Sequence, residues 1–255
     1  ARSGDRLGLG RHRCEIRPDD QDRGGCPMRC ISVSPASSIP ENYGEVVVRR
    51  LIEGNRGHYG PLEHPQISFG VGYFPHTVMQ QARTHRVGVS FDVQSFRYTG
   101  AQVAELGKAL QDGVTDERAE FDEKTAIDEL FYIPQTIKDG RAKTRQGMVP
   151  ISPEAIQIVM EQYRQQAIAY HRLVDECGVP YEDARNIVGY GIRQHFVVSF
   201  NARSLMHFLD LRAKADAQGE IQQLCEMMLP HFQQWCPHVA AWYVQNRWGK
   251  ARLSP

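Results

Sequence analysis

The stretch QISFGVGYFPHTVMQQARTHRVGVSFDVQSFRYTG, residues 66–100, carries two different periods and then a polar motif. Ile67, Phe69, Val71 and Tyr73 alternate with smaller or polar residues, which is the period of a strand with one buried face. Pro75 then opens a short helical segment, PHTVMQQART. That helix feeds a run where Arg83, His85, Arg86 and Arg97 stand among Thr84, Ser90, Gln94, Ser95 and Tyr98. Such a mixture suits neither a packed core nor a flexible tail. Guanidinium forks and hydroxyls match phosphate oxygens, and two or three charge-assisted hydrogen bonds at about 1.5–3 kcal/mol each would anchor a nucleotide. A solvated basic turn is the plain alternative.

Outward from this stretch, Val47, Val48, Leu51 and Ile52 recur at helical spacing, and Gly54 and Gly57 end that run. GHYGPLEHP is turn-rich. Downstream, residues 101–150 read as acidic helical pieces around a mobile basic loop, KDGRAKTRQG. Ser152–Cys177 is a long amphipathic helix, with Ile156, Val159, Tyr163, Ala167, Tyr170 and Val174 on its apolar stripe. PYEDARNIV is a second helix, HFVVSF a strand, and further helices follow from Ser204 and from Gln218 to Trp235. The expected class is α+β, with helices mixed around a central sheet of antiparallel type. Residues 1–40 read as an irregular arm and 41–255 as one catalytic domain.

At 255 residues the chain can bury a sizeable core. Its 30 basic and 30 acidic residues cancel, so any anion site is local, and neither a nucleic-acid polymer nor a membrane surface is indicated. With no apolar run of membrane-spanning length and no signal segment, the expected compartment is the cytoplasm. In that compartment the six cysteines read as free thiols. His12, Cys14, Cys26 and Cys30 lack the paired short spacings of zinc folds, and His58 with His64 lacks a third ligand, so no metal is expected.

Two further clusters accompany the first. RGHYGPLEH holds His58, Glu63 and His64 in a Gly-Pro turn, where such residues commonly order a loop. FNARSLMHFLDLR places Arg203 and His207 four apart on one helix face, with Leu205, Phe208 and Leu209 toward the core. Arg212 follows Phe208 by one turn on a mostly apolar side. An unpaired guanidinium there is costly. Either an anionic ligand or a carboxylate, Asp210 or Asp216, must balance it.

The three clusters, in this order, resemble the flavin-dependent thymidylate synthases. His85-Arg86 followed by Ser90-x-Asp92-x-x-Ser95-x-Arg97-Tyr98 is similar to that family's Arg-His-Arg, Ser and Arg-Tyr element. GHYGPLEH looks like its Gly-His-x-x-Pro-x-Glu-His segment, and NARSLMHFLDLR like its Asn-x-Arg-x-Leu-x-His-Phe-x-x-x-Arg segment. EDARNIV, with Arg185 sixteen residues before Asn201, also fits. Thr84 stands where the family usually has an Arg, and Asp92, Val93 and Gly189 are further departures, a pattern that resembles a cyanobacterial or phage-like subgroup.

The resemblance implies reductive methylation of deoxyuridine monophosphate (dUMP) to thymidylate (dTMP). It implies bound FAD, with NADPH and methylenetetrahydrofolate as co-substrates, in a homotetramer whose active sites are shared between subunits. It places Gln81, Arg83, Thr84, Gln94, Ser95, Arg97, Arg185 and Arg212 at dUMP, with Arg212 the catalytic charge at the pyrimidine edge. His58, Glu63, His85, Arg86, Asn201, Arg203 and His207 would line the flavin. Two rivals stand beside this reading. A classical thymidylate synthase needs a nucleophilic Cys in a Pro-Cys-His context, but here the order is Cys236-Pro237-His238. A non-catalytic nucleotide- or RNA-binding protein would use Phe91, Phe96 and Tyr98 near Arg97 for stacking, against a balanced net charge.

Overall fold

A computed structural model describes residues 30–35, 41–112, 122–144 and 146–250. Its centre is a four-stranded antiparallel sheet in the order β1-β2-β6-β3. The strands are β1 (Cys30–Pro35), β2 (Gln66–Pro75), β3 (Val89–Val93) and β6 (Arg193–Asn201). β2 is central because Ile67, Phe69 and Val71 point into the core on alternate residues. The alternation breaks before Tyr73. A bulge shifts the register between Val71 and Phe74, Tyr73 takes a left-handed φ of 63°, and Phe74 becomes the fully buried residue instead.

The stretch read as an irregular arm is, at Cys30–Pro35, an edge strand paired antiparallel to β2, with Ile31 opposite Val71 and Val33 opposite Phe69. Ile31 and Val33 alternate with Ser32 and Ser34, but two apolar residues are too short a run to mark a strand by themselves; pairing along β2 defines it. Residues 1–29 and 36–40, including His12, Cys14 and Cys26, lie outside the described residues.

One face of the sheet is covered by α2 (His76–Ala82), α9 (Ala202–Arg212), α10 (Gly219–Trp235) and α11 (Pro237–Asn246), together with α1 (Glu41–Val47) and the helical turn after it. Phe69, Phe200 and Phe208 meet edge-on or tilted in this core. The opposite face carries Ser68, Gly70, Val197, Ser199, Ser90 and Asp92, exposed or half-buried.

A second core joins α4 (Ala101–Asp112), α5 (Glu123–Leu130) and α7 (Glu154–His171), the helix expected from its apolar stripe. Gly107 makes this packing close, since a Cβ there would lie 2.0 Å from the carbonyl of Ala167. Arg193 ties the two cores together. Its guanidinium donates to the carbonyls of Asp128 and Tyr73, both at 2.7 Å, and pairs with the Asp128 carboxylate at 3.2 Å. The remaining short helices are α3 (Phe96–Thr99), α6 (Gln135–Lys138) and α8 (Tyr181–Ala184).

The basic segment expected to be a mobile loop is a hairpin, β4 (Arg141–Thr144) and β5 (Gly147–Pro150), closed by a two-residue connection. Gly140, just before β4, and Gly147, the first residue of β5, both take positive φ. No described helix is long and apolar enough to cross a membrane.

Candidate active site

α9 organises the first group of polar side chains. Asn201 caps it, its Oδ1 accepting from the Ser204 amide at 2.8 Å. The Ser204 hydroxyl donates at 2.7 Å to the carbonyl of Val87, and the Asn201 amide to that of Gly88 at 3.2 Å. The motif loop is thereby pinned to the start of α9. Gly88 is required: its φ is +64°, and a Cβ would lie 2.2 Å from Ser204 Oγ and 2.3 Å from Asn201 Nδ2.

In the same first turn Arg203 pairs with Glu63 and lies over the ring of Tyr59, 5.8 Å from its centroid. His58 is exposed in the same turn-rich segment, ahead of the 3-10 turn Gly60–Glu63. His207 stands edge-on to His85 at 5.4 Å, and its buried Nδ1 has no hydrogen-bond partner among the described residues.

Arg212 ends α9, half-buried. Its Nε donates to His85 Nε2 at 2.9 Å, and its Nη2 donates to the Gln81 carbonyl at 3.1 Å and to Thr84 Oγ1 at 2.6 Å. These acceptors are neutral. Neither Asp210 nor Asp216 balances the charge: Asp210 forms a buried pair with Arg247, at 2.6 Å, and among the described residues no carboxylate lies within ion-pair distance of Arg212. Burial lowers the pKa of Arg212. His85, 7% exposed, is pushed down to about 4, first by burial, then by Arg212 and His207. It is therefore neutral at physiological pH. Since Nε2 accepts from Arg212, its proton sits on Nδ1.

A second group gathers at the other end of β3. Gln94 follows the strand, its amide donating to the His195 carbonyl at 3.0 Å, and Ser95 precedes α3. Arg97 pairs with Glu182 on α8 at 3.0 Å, both well exposed, and Arg185 follows the same helix with no ion pair among the described residues. Beside them a solvent-open cleft of about 360 Å³ is lined by Tyr73, Gln94, Phe96, Gln102, Glu129 and His195, among others.

Thus one chain brings Gln81, Thr84, His85 and Arg212 together, with Asn201, Arg203 and His207 along the same helix, Glu63 paired to Arg203, and His58 in the loop that leads to Glu63. It holds Gln94, Ser95, Arg97 and Arg185 apart. The five residues of β3 separate the groups by about 17 Å. Arg83 and Arg86 flank the first group, exposed and without ion pairs among the described residues. The Gln81 side chain is taken up by Gln218, and only its carbonyl reaches Arg212. Gln218, Tyr59, Glu182 and Gly88 are members that the sequence reading missed. For the first three nothing local marks the contact; Gly88 carried a signal, as a lone glycine within a polar motif.

The family described as "Thymidylate synthase complementing protein" matches residues 29–238. A flavin-dependent thymidylate synthase of Haloarcula marismortui is 34% identical over 220 residues, 84% of this chain and 81% of its own. That of Halobacterium salinarum is 35% identical over 205 residues, covering 78% and 76%. Crystal structures of the UMP/dUMP methylase PolB from Streptomyces cacaoi share the fold: with 5-Br dUMP bound, the TM-score is 0.60 at 21% identity, covering 89% of this chain and 98% of PolB. With 5-Br UMP bound it is 0.58 at 22% identity. By its motifs, its sheet and its relatives, the chain belongs to the flavin-dependent thymidylate synthase family.

Proposed function

We infer that the protein methylates dUMP to dTMP, with methylenetetrahydrofolate as carbon donor and FAD, reduced by NADPH, as hydride source. The observation that carries this is Arg212: a half-buried guanidinium, held by three neutral acceptors, whose charge no carboxylate of the described chain balances. A pyrimidine edge that gains negative charge during reaction balances it. Such preorganised charge stabilises the transition state more than the ground state.

The chain also fits a flavin nucleotide. The orphaned Nδ1 of His207 lies beside the pinned loop, and the exposed donors of Arg86, Arg203 and His58 suit a diphosphate. In this reading those residues, with Glu63, His85 and Asn201, hold FAD. When bound, FAD supplies the two-electron reduction that turns the transferred folate carbon into a methyl group. Asn201 and Ser204 keep the binding loop in place, and Glu63 orients Arg203.

Ser95, Arg97 and Arg185, with Gln94, receive the nucleotide phosphate. The Arg97–Glu182 pair is exposed, so it is weak and a phosphate readily displaces it. Separation of this group from Arg212 by the length of β3 favours sites composed from different subunits of a homotetramer. The uncovered sheet face and the exposed Val87 and Tyr98, beside the motif arginines, suit such contacts. The proposed location is the cytoplasm, where nucleotide and folate substrates are found.

The test is to titrate the purified protein with FAD and assay dTMP formation from dUMP, methylenetetrahydrofolate and NADPH. Flavin uptake together with dTMP is expected. A protein that takes up FAD but forms no dTMP, or one that takes up none, overturns the reading.

A further inference from the structure

Resting on the proposed function, the donor inventory of Arg212 yields one further assignment. A guanidinium has five N–H groups: one on Nε and two on each terminal nitrogen. His85 Nε2 takes the Nε hydrogen, while the Gln81 carbonyl and Thr84 Oγ1 take those of Nη2. Only the two on Nη1 remain. A planar fork using Nη1 and Nη2 together is therefore closed to a ligand. The substrate edge meets a single nitrogen.

We propose that Thr84 is a positioning residue which, with His85 and the Gln81 carbonyl, aims Nη1 of Arg212 at the one pyrimidine acceptor that gains negative charge. Thr84 is fitted to this by its own bonding. Its hydroxyl donates to the Gln81 carbonyl at 2.8 Å, which leaves only lone pairs to face Arg212. The hydroxyl is thus a one-way acceptor, and its β-branched side chain restricts χ1. Gln81 lies in the last turn of α2, where its carbonyl accepts the Thr84 amide at 3.3 Å rather than a full helical bond and a nearby cation is favoured. His85 closes the third side as a buried ring packed edge-on against Phe208 at 5.0 Å. Because all three acceptors are neutral, they hold the guanidinium without cancelling its charge, and the charge is delivered through Nη1.

The test compares Thr84→Val, which removes the hydroxyl at nearly equal volume, with Thr84→Ser, which keeps it. Steady-state dTMP formation is measured against dUMP concentration, alongside FAD content and melting temperature. Thr84→Val should lower kcat about tenfold and move KM for dUMP less than about threefold, because ground-state binding survives while aim is lost. Thr84→Ser should stay within about threefold of the parent in kcat. Equal losses in both variants, an unchanged kcat in Thr84→Val, or a change confined to KM would overturn the assignment.

A second readout does not depend on turnover. In arginine-labelled protein, the Nη2–H resonance whose proton Thr84 Oγ1 accepts, identified by its loss in Arg212→Lys, should be slow to exchange. It should exchange rapidly in Thr84→Val and slowly again in Thr84→Ser. Slow exchange retained in Thr84→Val would also overturn the proposal. A parent protein that forms no dTMP would refute the function proposed above, while this readout still judges Thr84.

Discussion

Arg212 and Asp210 stand two residues apart on α9 and face different demands. Asp210 is fully enclosed and paired with Arg247 through three contacts of 2.6–3.3 Å. Removing one member strands the other, so Arg247→Met should cost about 3 kcal/mol, read as a lower urea midpoint. Arg212 has no such partner. Arg212→Lys keeps the charge, but a compact ammonium lacks the planar span that lets Nε and Nη2 bind inward to His85 and Thr84 while Nη1 faces outward. We expect FAD uptake and melting temperature to persist while dTMP formation falls at least about tenfold, roughly 1.4 kcal/mol of barrier. Near-normal turnover with a lowered melting temperature would make Arg212 structural. His85 adds a pH dependence. Its folded pKa of about 4 lies below the ordinary 6.5, so between these values the unfolded chain binds the extra proton. Stability from this group is full above pH 6.5 and is lost as pH falls toward 4, by at most about 3 kcal/mol. His76, His195 and His231, also lowered by burial, act in the same direction. Urea midpoints at pH 7 and 4.5 should show the drop, and a His85→Asn variant should show a smaller one.

At the scale of elements, the site depends on how the loop after α2 is fastened to α9. Gly88 lies where any side chain would strike both the α9 cap and Ser204 while adopting a left-handed φ. Gly88→Ala should lower stability by about 1–3 kcal/mol and weaken FAD uptake in parallel. Thermal melts and a flavin titration on the same samples check this; unchanged values for both would mean that the loop is not held by this contact. β2 shows a related device at its other end. The bulge before Phe74 turns Tyr73 out of the core, edge-on to His195 at 4.9 Å, and opens the cleft beside Gln94.

For the whole molecule, the informative fact is separation. Arg212 and Arg97 belong to groups at opposite ends of β3, so an assembly that joins them across subunits makes each chain a donor to two sites. Co-expressing Arg212→Ala with Arg97→Ala chains should then restore activity. Random assortment leaves roughly a quarter of sites with both native residues. Verified mixed oligomers that remain inactive would mean that each chain builds its own site.

The sequence by itself determined what is local and periodic. Alternation in 67–71 made a strand, the apolar stripe of 156–174 made a helix, and NARSLMHFLDLR made a capped helix with its apolar side inward. The order of these motifs was also enough to indicate the family. Tertiary structure alone decided contacts between residues distant in the chain, because pairing energy between them leaves no mark on local pattern. Cys30–Pro35 became a strand only by pairing with β2. KDGRAKTRQG became the first part of a hairpin by pairing with the residues that follow it, Arg141 opposite Pro150 and Lys143 opposite Met148. Asp210, two residues before Arg212 in sequence, was drawn instead to Arg247, since helix geometry points the two side chains to different sides of α9. That left Arg212 to Thr84, His85 and Gln81, and left Arg97 and Arg185 of the same chain a strand's length away.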